Sequence, residues 1–218
     1  MPLRLHIEIE NIKKRILSLG AMVEEHVALA VKALDTMDLE LAHKVIDADK
    51  KVDEMEVEIE EECLKILALH QPVAINLRFI SAIIKINNDL ERIGDEAVNI
   101  AERVAYLCTR PPLETSFDYR VMSKKTINLL KESLDALVSI DVDIAYKVRL
   151  DDDEIDDIDR NIFNTVCKEI KNNIERVGSL ISIFSISHNL ERIADHATNI
   201  AEEVIYLVEG VIQRHKKH

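Results

Sequence analysis

The chain has 218 residues, of which 47% are hydrophobic and 32% charged, and its formal net charge is −13. This composition is typical of a soluble globular protein with one or two domains and a sizeable core. A strongly acidic surface repels phosphate backbones, so the charge argues against nucleic-acid binding. The same charge favours binding of metal cations or of a basic partner surface.

Helix-breaking residues are sparse, with only four Gly and four Pro in the chain, so long uninterrupted helices are expected. The three cysteines, Cys63, Cys108 and Cys167, form no CxxC motif. They predict buried thiols in a reducing, cytoplasmic setting rather than disulfides or a zinc finger. No stretch is apolar enough for a signal peptide or a transmembrane segment, which also indicates a cytoplasmic protein.

Apolar residues recur at helical spacing along most of the chain. In chain order, the pattern predicts helices over 5–37, 39–48, 49–69 and 73–108, and then over 119–139, 142–150, 152–174 and 177–211. The Pro-Pro pair at 111–112 predicts a boundary that divides the chain into 1–110 and 111–218. Three long amphipathic helices with short connections in each part predict an all-α fold of two similar three-helix bundles.

An internal repeat relates the two parts. Residues 90–102 read LERIGDEAVNIAE and residues 190–202 read LERIADHATNIAE, which are identical at ten of thirteen positions with an offset of 100. The repeated positions include charged residues, whereas solvent-exposed positions without a role should drift. Repeated charges at positions expected to be exposed therefore indicate a binding site.

The repeated carboxylates are Glu91, Asp95 and Glu102 in the first copy and Glu191, Asp195 and Glu202 in the second. On a helical wheel they lie about 180° from the apolar seam, so an outward orientation is expected. Carboxylates at i and i+4 repel each other by about 0.2–0.5 kcal/mol on an isolated helix. A bound cation reverses this repulsion, and hard or borderline metals prefer carboxylate oxygens. The row therefore predicts a metal site in each copy.

A second set of carboxylates repeats with an offset of 103. Asp49 and Asp53 align with Asp152 and Asp156, and Glu56 aligns with Asp159. On the wheel these side chains lie on the shoulder of the preceding helix. Two interpretations are open: they complete the metal sites from a neighbouring helix, or they stabilise helix N-termini electrostatically.

The segment HQPVAINLRF at 70–79, followed by the two repeated motifs, resembles the PhoU family of phosphate-uptake regulators over nearly the whole chain. The resemblance implies two helical three-helix bundles and a cytoplasmic negative regulator of the phosphate-starvation response. It also implies two partners at the inner membrane, the phosphate transporter's ATPase and a sensor histidine kinase. A helical accessory protein of a phosphate permease is an alternative.

The resemblance further implies that E/DxxxD motifs bind multinuclear metal clusters, with iron in some cases. The matching pairs here are Asp49/Asp53, Glu91/Asp95, Asp152/Asp156 and Glu191/Asp195. Zinc, nickel, manganese and magnesium are further candidate ions. Position 96 is Glu whereas position 196 is His, so the two sites need not bind alike.

Several other functions are weighed against the regulatory one. No nucleophile–base set or glycine-rich phosphate loop is evident, so an enzyme is not expected. A carboxylate di-metal enzyme needs inward-facing ExxH motifs from two helices, but the chain has one, Glu40 to His43. A helical adaptor that works without metal is the remaining alternative. Long acidic faces with apolar flanks favour a homodimer.

Overall fold

The structure is a computed structural model that describes residues 2–113, 115 and 117–212. The first half forms α1 (Pro2–Thr36), α2 (Leu39–Ala48), α3 (Lys50–His70) and α4 (Ala74–Cys108). The second half forms α5 (Tyr119–Ser139), α6 (Val142–Asp151), α7 (Asp153–Asn172) and α8 (Val177–Glu209). Among the described residues the only other regular element is a 3₁₀ turn at Ile174–Arg176, so the predicted all-α fold is confirmed.

The connection between the halves contains the predicted boundary after residue 110. It runs from the end of α4 to the start of α5, and Arg176 Nη1 donates a 2.8 Å hydrogen bond to the carbonyl oxygen of Pro112 there. Residues 213–218 of the predicted second bundle lie outside the described residues. No helix in the described part of the chain is long and apolar enough to cross a membrane.

Equivalent capping residues begin the short helices of both halves. Asp38 precedes α2 and its carboxylate accepts a 3.0 Å hydrogen bond from the backbone N–H of Leu41. Asp141 precedes α6 and accepts from the N–H groups of Asp143 and Ile144. Such caps satisfy amides that have no partner within the helix, which explains why both helices begin where they do.

Each half encloses an apolar core between its three long helices. The predicted stripe of α1 and the predicted seam of α4 are both buried; the α4 residues are Ile86, Leu90, Ile93, Ala97, Ile100, Val104 and Leu107. The short helices α2 and α6 pack on α4 and α8. Cys63 is buried, as predicted, and burial raises the pKa of its thiol to about 12. Cys108 and Cys167 are only half-buried.

The two bundles meet chiefly along α4 and α8, which pack antiparallel. Polar pairs cross this interface at intervals. Lys85 Nζ donates to Glu203 at 2.9 Å. His196 Nδ1 lies 2.9 Å from Asp89 Oδ1, and a nitrogen of the Arg192 guanidinium lies 3.1 Å from the buried carboxylate of Glu96. The bundles are therefore joined by polar pairs in addition to a shared apolar core that contains residues of both halves.

This packing corrects the expected outward orientation of the acidic row. Helix α4 contacts α1, α2, α3 and α8, so it presents little surface to solvent. The side chains of Glu91 and Glu191 are only 26% and 20% exposed, and the prediction of an outward orientation is wrong for them. It failed because the wheel assumed that the helix packs along one seam. Glu102, about three turns after Glu91 on α4, and Asp195 are exposed as expected. The Glu202 side chain is only 14% exposed, so the outward prediction is wrong for it as well.

The Glu96–Arg192 pair generates a prediction about stability. Replacing Arg192 with Leu leaves the buried Glu96 carboxylate without its cation, which we expect to lower the free energy of unfolding by about 2 kcal/mol. The matched control is Arg120→Leu, whose exposed guanidinium lies 3.4 Å from the exposed Asp35 carboxylate and outside the interface between the bundles' central helices. It should lie within about 0.5 kcal/mol of the wild type. Urea denaturation measures both, and equal losses in the two variants would contradict the assignment.

Candidate metal centre

The groove between α7 and α8 holds five carboxylates. Asp152, Asp156 and Asp159 recur at intervals of four and three residues, so they share one face of α7. Glu191 and Asp195 lie one turn apart on α8. Carboxylate oxygens of Asp156, Glu191 and Asp195 all lie within 4.8 Å of one another, a spacing at which one ion can bind them together. We call these five residues the second acidic cluster.

The groove between α3 and α4 holds the equivalent set, the first acidic cluster, which consists of Asp49, Asp53, Glu56, Glu91 and Asp95. Asp49 approaches α4 closely: its Oδ1 is 3.3 Å from the position that a Cβ on residue 94 would occupy. Residue 94 is Gly, and a larger residue there would push Asp49 or its neighbour Val52 aside. Asp49 thus lies against α4, but within the described residues it is the second cluster alone that brings three ligand oxygens within 4.8 Å of one another.

This arrangement bears on both interpretations of the shoulder carboxylates. Asp49 and Asp152 occupy the N-cap positions of α3 and α7, but neither side chain makes a capping hydrogen bond. Repulsion from Asp95 contributes to the raised pKa of Asp49, and repulsion from Asp195 contributes to that of Asp152. Each carboxylate therefore lies both at a helix N-terminus and beside the acidic row of the next helix, and its role as a metal ligand stays a prediction.

Burial and mutual repulsion perturb these groups in one direction. Burial, followed by repulsion from Asp53 and Asp95, raises the pKa of Asp49 to about 6. Burial and repulsion from Asp195 raise the pKa of Asp152 and of Glu191 to about 7 in each case. Burial is also the main cause of the raised pKa of Asp95. Such shifts are typical of sites that are built to hold a positive charge.

Three oxygens in the clusters fit a bound cation. Asp49 Oδ1, Asp152 Oδ1 and Glu191 Oε2 are buried, and within the described part of the chain no donor hydrogen-bonds to them. A buried acceptor without a partner costs about 1–3 kcal/mol, and more when it is charged. Carboxylate oxygens are the donors that hard divalent ions prefer, so the residues present are suited to hold one.

A layer of polar residues behind the clusters orients two of the carboxylates. Asn87 Nδ2 donates to the Glu56 carboxylate at 3.0 Å and to its backbone oxygen at 2.9 Å. At the matched position of α8, Ser187 donates to Asp159. Outer hydrogen bonds of this kind hold metal ligands in place. The sequence analysis did not identify Asn87 and Ser187. Both are small polar residues at the same position of the repeat, and that match could have indicated them.

Two predicted ligands are not brought into the clusters. Glu102 lies seven residues after Asp95, which is about 10 Å along the helix. The Glu202 carboxylate lies 3.4 Å from the Arg149 guanidinium, and both side chains are largely buried. Glu202 therefore balances a structural cation. The ExxH residues Glu40 and His43 are exposed on α2, so they do not form the inward arrangement that a di-metal enzyme requires.

The raised pKa values generate a prediction about pH. A group whose pKa is higher in the folded state binds protons more tightly there, so its contribution to stability falls as pH rises from about 4 to about 7. Asp152→Asn with Glu191→Gln should therefore raise the melting temperature of the metal-free protein at pH 8. An effect on the order of 1–2 kcal/mol corresponds to roughly 2–8 °C for a chain of this size.

The control for this experiment removes the same number of charges at exposed positions. Asp47→Asn with Glu61→Gln should leave the melting temperature nearly unchanged at both pH 5 and pH 8. Differential scanning calorimetry in the presence of a chelator measures all three proteins. A cluster variant that melts no higher than the wild type at pH 8 would contradict the electrostatic account.

Comparison with known proteins identifies the family. The family described as "PhoU domain" matches residues 16–104 and 119–204, one copy in each half. A phosphate-specific transport system accessory protein PhoU homolog of Pseudomonas putida is 37% identical over 95% of this chain and 82% of its own length. The corresponding homolog 1 of Thermotoga maritima is 36% identical over 93% of this chain and 88% of its own.

Solved structures show the same fold. The crystal structure of PhoU from Pseudomonas aeruginosa has a TM-score of 0.92 at 36% identity and covers 94% of this chain and 99% of that one. The phosphate transport system regulatory protein PhoU from Streptococcus pneumoniae has a TM-score of 0.84 at 28% identity, with 95% and 98% covered. Sequence and fold agree over both repeats, and the chain belongs to the PhoU family.

Proposed function

We propose that this protein is a metal-binding accessory protein of a phosphate-specific transport system. It is a cytoplasmic negative regulator of the phosphate-starvation response and acts through the transporter's ATPase and a sensor histidine kinase at the inner membrane. Membership of a family whose named relatives are accessory proteins of this transport system supports the role. The observation that carries the metal-binding part is the pair of equivalent clusters that contain buried carboxylate oxygens without hydrogen-bond partners.

The clusters have a structural task in this proposal. Within each half, carboxylates from two helices share a groove and repel one another. A bound dication neutralises this repulsion and ties the two helices together. Asp49, Asp53 and Glu56 approach it from α3, and Glu91 and Asp95 from α4. Iron, zinc, nickel, manganese and magnesium all bind carboxylate oxygens, so the first cluster alone does not select among them.

A role as an adaptor fits the described residues better than a role as an enzyme. The relatives named above are accessory or regulatory proteins by name. The clusters lie in grooves at the outside of each bundle, where α3 and α7 do not contact the other half. A metal there sets the geometry of two helices that border the protein surface, and it is through such a surface that a partner is recognised.

The competing function is an adaptor whose acidic grooves bind a basic protein surface without metal. The net charge of −13 favours it. One measurement separates the metal-dependent adaptor from the metal-free adaptor. The purified protein, with and without prior chelator treatment, is tested for binding to membranes that contain the transporter ATPase. Metal-dependent docking supports our proposal, whereas equal binding in both states favours the metal-free adaptor.

The central prediction concerns both clusters together. The variant Glu91→Gln, Asp95→Asn, Glu191→Gln, Asp195→Asn removes the charged ligands of α4 and α8 with little change of volume. We expect at least a tenfold loss of Mn²⁺ and Zn²⁺ affinity in isothermal titration calorimetry, and loss of repression of phosphate-responsive genes in a host that lacks its own family member. The physical reason is the loss of the anionic oxygens that bind the cation.

The matched control is Glu102→Gln with Glu40→Gln, Asp47→Asn and Glu61→Gln. It removes the same number of charges at exposed positions outside the clusters, including one within the repeated motif. This control should retain metal binding and gene repression. Normal metal uptake and repression in the fourfold variant would refute the proposed function.

A further inference from the structure

The two clusters differ at three matched positions that contact one another in the second half. Glu60, Ile84 and Asn88 of the first half correspond to Phe163, Phe184 and His188 of the second, with offsets of 103 for the first pair and 100 for the others. The three side chains of the second half lie together where α7 meets α8.

In the second half these residues form a stack that positions an imidazole. The ring centroids of Phe163 and Phe184 are 5.2 Å apart, and the ring of His188 stacks on Phe184 at 6.0 Å with an interplanar angle of 14°. His188 Nδ1 lies 3.3 Å from Glu191 Oε2 and 3.8 Å from Asp159 Oδ2. A ring nitrogen of the half-exposed His188 side chain thus lies beside Glu191 and Asp159, at the edge of the converging set of Asp156, Glu191 and Asp195.

A second difference concerns charge. Arg92 Nε lies 3.6 Å from Glu91 and Arg92 Nη1 lies 3.8 Å from Asp95, so this guanidinium lies directly beside the first cluster. The matched Arg192 lies 3.1 Å from Glu96 across the interface, although its charge still lowers the pKa of Glu191 and of Asp195. The difference arises because position 96 is Glu whereas the matched position 196 is His. The antiparallel packing of α4 on α8 places Arg192 opposite Glu96, and it places Arg92 opposite His196, which offers no carboxylate.

We propose that the two centres bind different classes of cation. The second cluster is a mixed nitrogen–oxygen site that includes His188 as a ligand and binds a borderline transition-metal dication such as Zn²⁺ or Fe²⁺ with the higher affinity. The first cluster is an oxygen-only site, and it binds a hard dication such as Mg²⁺ or Mn²⁺ more weakly. This inference rests on the proposed metal-binding function.

Ligand chemistry supplies the reason. Imidazole suits zinc, iron and nickel, whereas carboxylate and water suit magnesium and manganese. The Ser187 hydroxyl donates a hydrogen bond to Asp159 Oδ1. The other oxygen, Asp159 Oδ2, lies 3.8 Å from His188 Nδ1. Phe184, which Phe163 contacts at a tilted angle, offers the imidazole of His188 a stacking surface beside these carboxylates. Asn88 offers the first cluster no equivalent nitrogen donor, because its amide nitrogen already carries both protons and has no lone pair for a metal.

The test uses the metal-free full-length chain and two ions, Zn²⁺ and Mn²⁺, in isothermal titration calorimetry. The wild type should show one Zn²⁺ event at least tenfold tighter than the next. His188→Asn, which converts the second site to the residue of the first, should weaken the tight Zn²⁺ event by about 10–100-fold and change Mn²⁺ binding less than threefold. The control His43→Asn alters an exposed histidine on α2 and should change neither.

A spectroscopic readout separates a ligand from a residue that only supports the fold. In protein labelled with ¹⁵N-histidine, the ring-nitrogen resonances of His188 and His43 are assigned by their absence from the spectra of His188→Asn and His43→Asn. One equivalent of Zn²⁺ should shift the His188 resonance and leave the His43 resonance in place. Two Zn²⁺ events of equal affinity that are unchanged in His188→Asn would overturn the inference while leaving the proposed metal-binding function intact. No binding of either ion by the wild type would overturn both.

Discussion

Like-charge repulsion between carboxylates of neighbouring helices is the constraint around which this protein is organised. Asp49 and Asp152 begin helices, and a carboxylate at such a position ordinarily caps the helix and stabilises it. Neither does so here; both are buried near the acidic row of the next helix. At the same place in both repeats, a stabilising capping hydrogen bond is thus absent and a destabilising repulsion between carboxylates is present. The proposed bound cation would reconcile that arrangement with a stable fold.

The same scaffold connects the two sites. The central helices α4 and α8 carry cluster carboxylates on one side and the polar pairs of the interface between bundles on the other. Glu191 and Arg192 are adjacent in sequence, yet one is a cluster residue and the other neutralises Glu96 in the opposite bundle. In the proposed function, occupation of one cluster would act on a helix that also takes part in the interface between the bundles.

Much of this could be predicted from the sequence, because helical periodicity and an internal repeat are strong signals. The predicted helices agree with the observed ones to within three residues at each end. The repeat alone singles out Glu91, Asp95 and their counterparts as candidate ligands. What failed was orientation: a helical wheel with one seam treats a helix that is surrounded on several sides as if it were half-exposed, and Glu91 and Glu191 were placed wrongly for that reason.

Other features depend on pairing between distant parts of the chain, which periodicity does not contain. Glu202 repeats as faithfully as Glu191, but only the tertiary structure shows that it is paired with Arg149. The difference between Glu96 and His196 was visible, whereas its effect on Arg92 and Arg192 depends on the antiparallel packing of α4 on α8. The orientation of His188 likewise requires two phenylalanines from different helices to meet.

The most direct measurement is a crystal structure of the protein grown with added iron and zinc, with anomalous diffraction recorded at both absorption edges. The account predicts anomalous peaks in the grooves between α3 and α4 and between α7 and α8, coordinated by the cluster carboxylates. Grooves that contain only water beside fully ordered Asp49, Asp152, Glu91 and Glu191 side chains would contradict it.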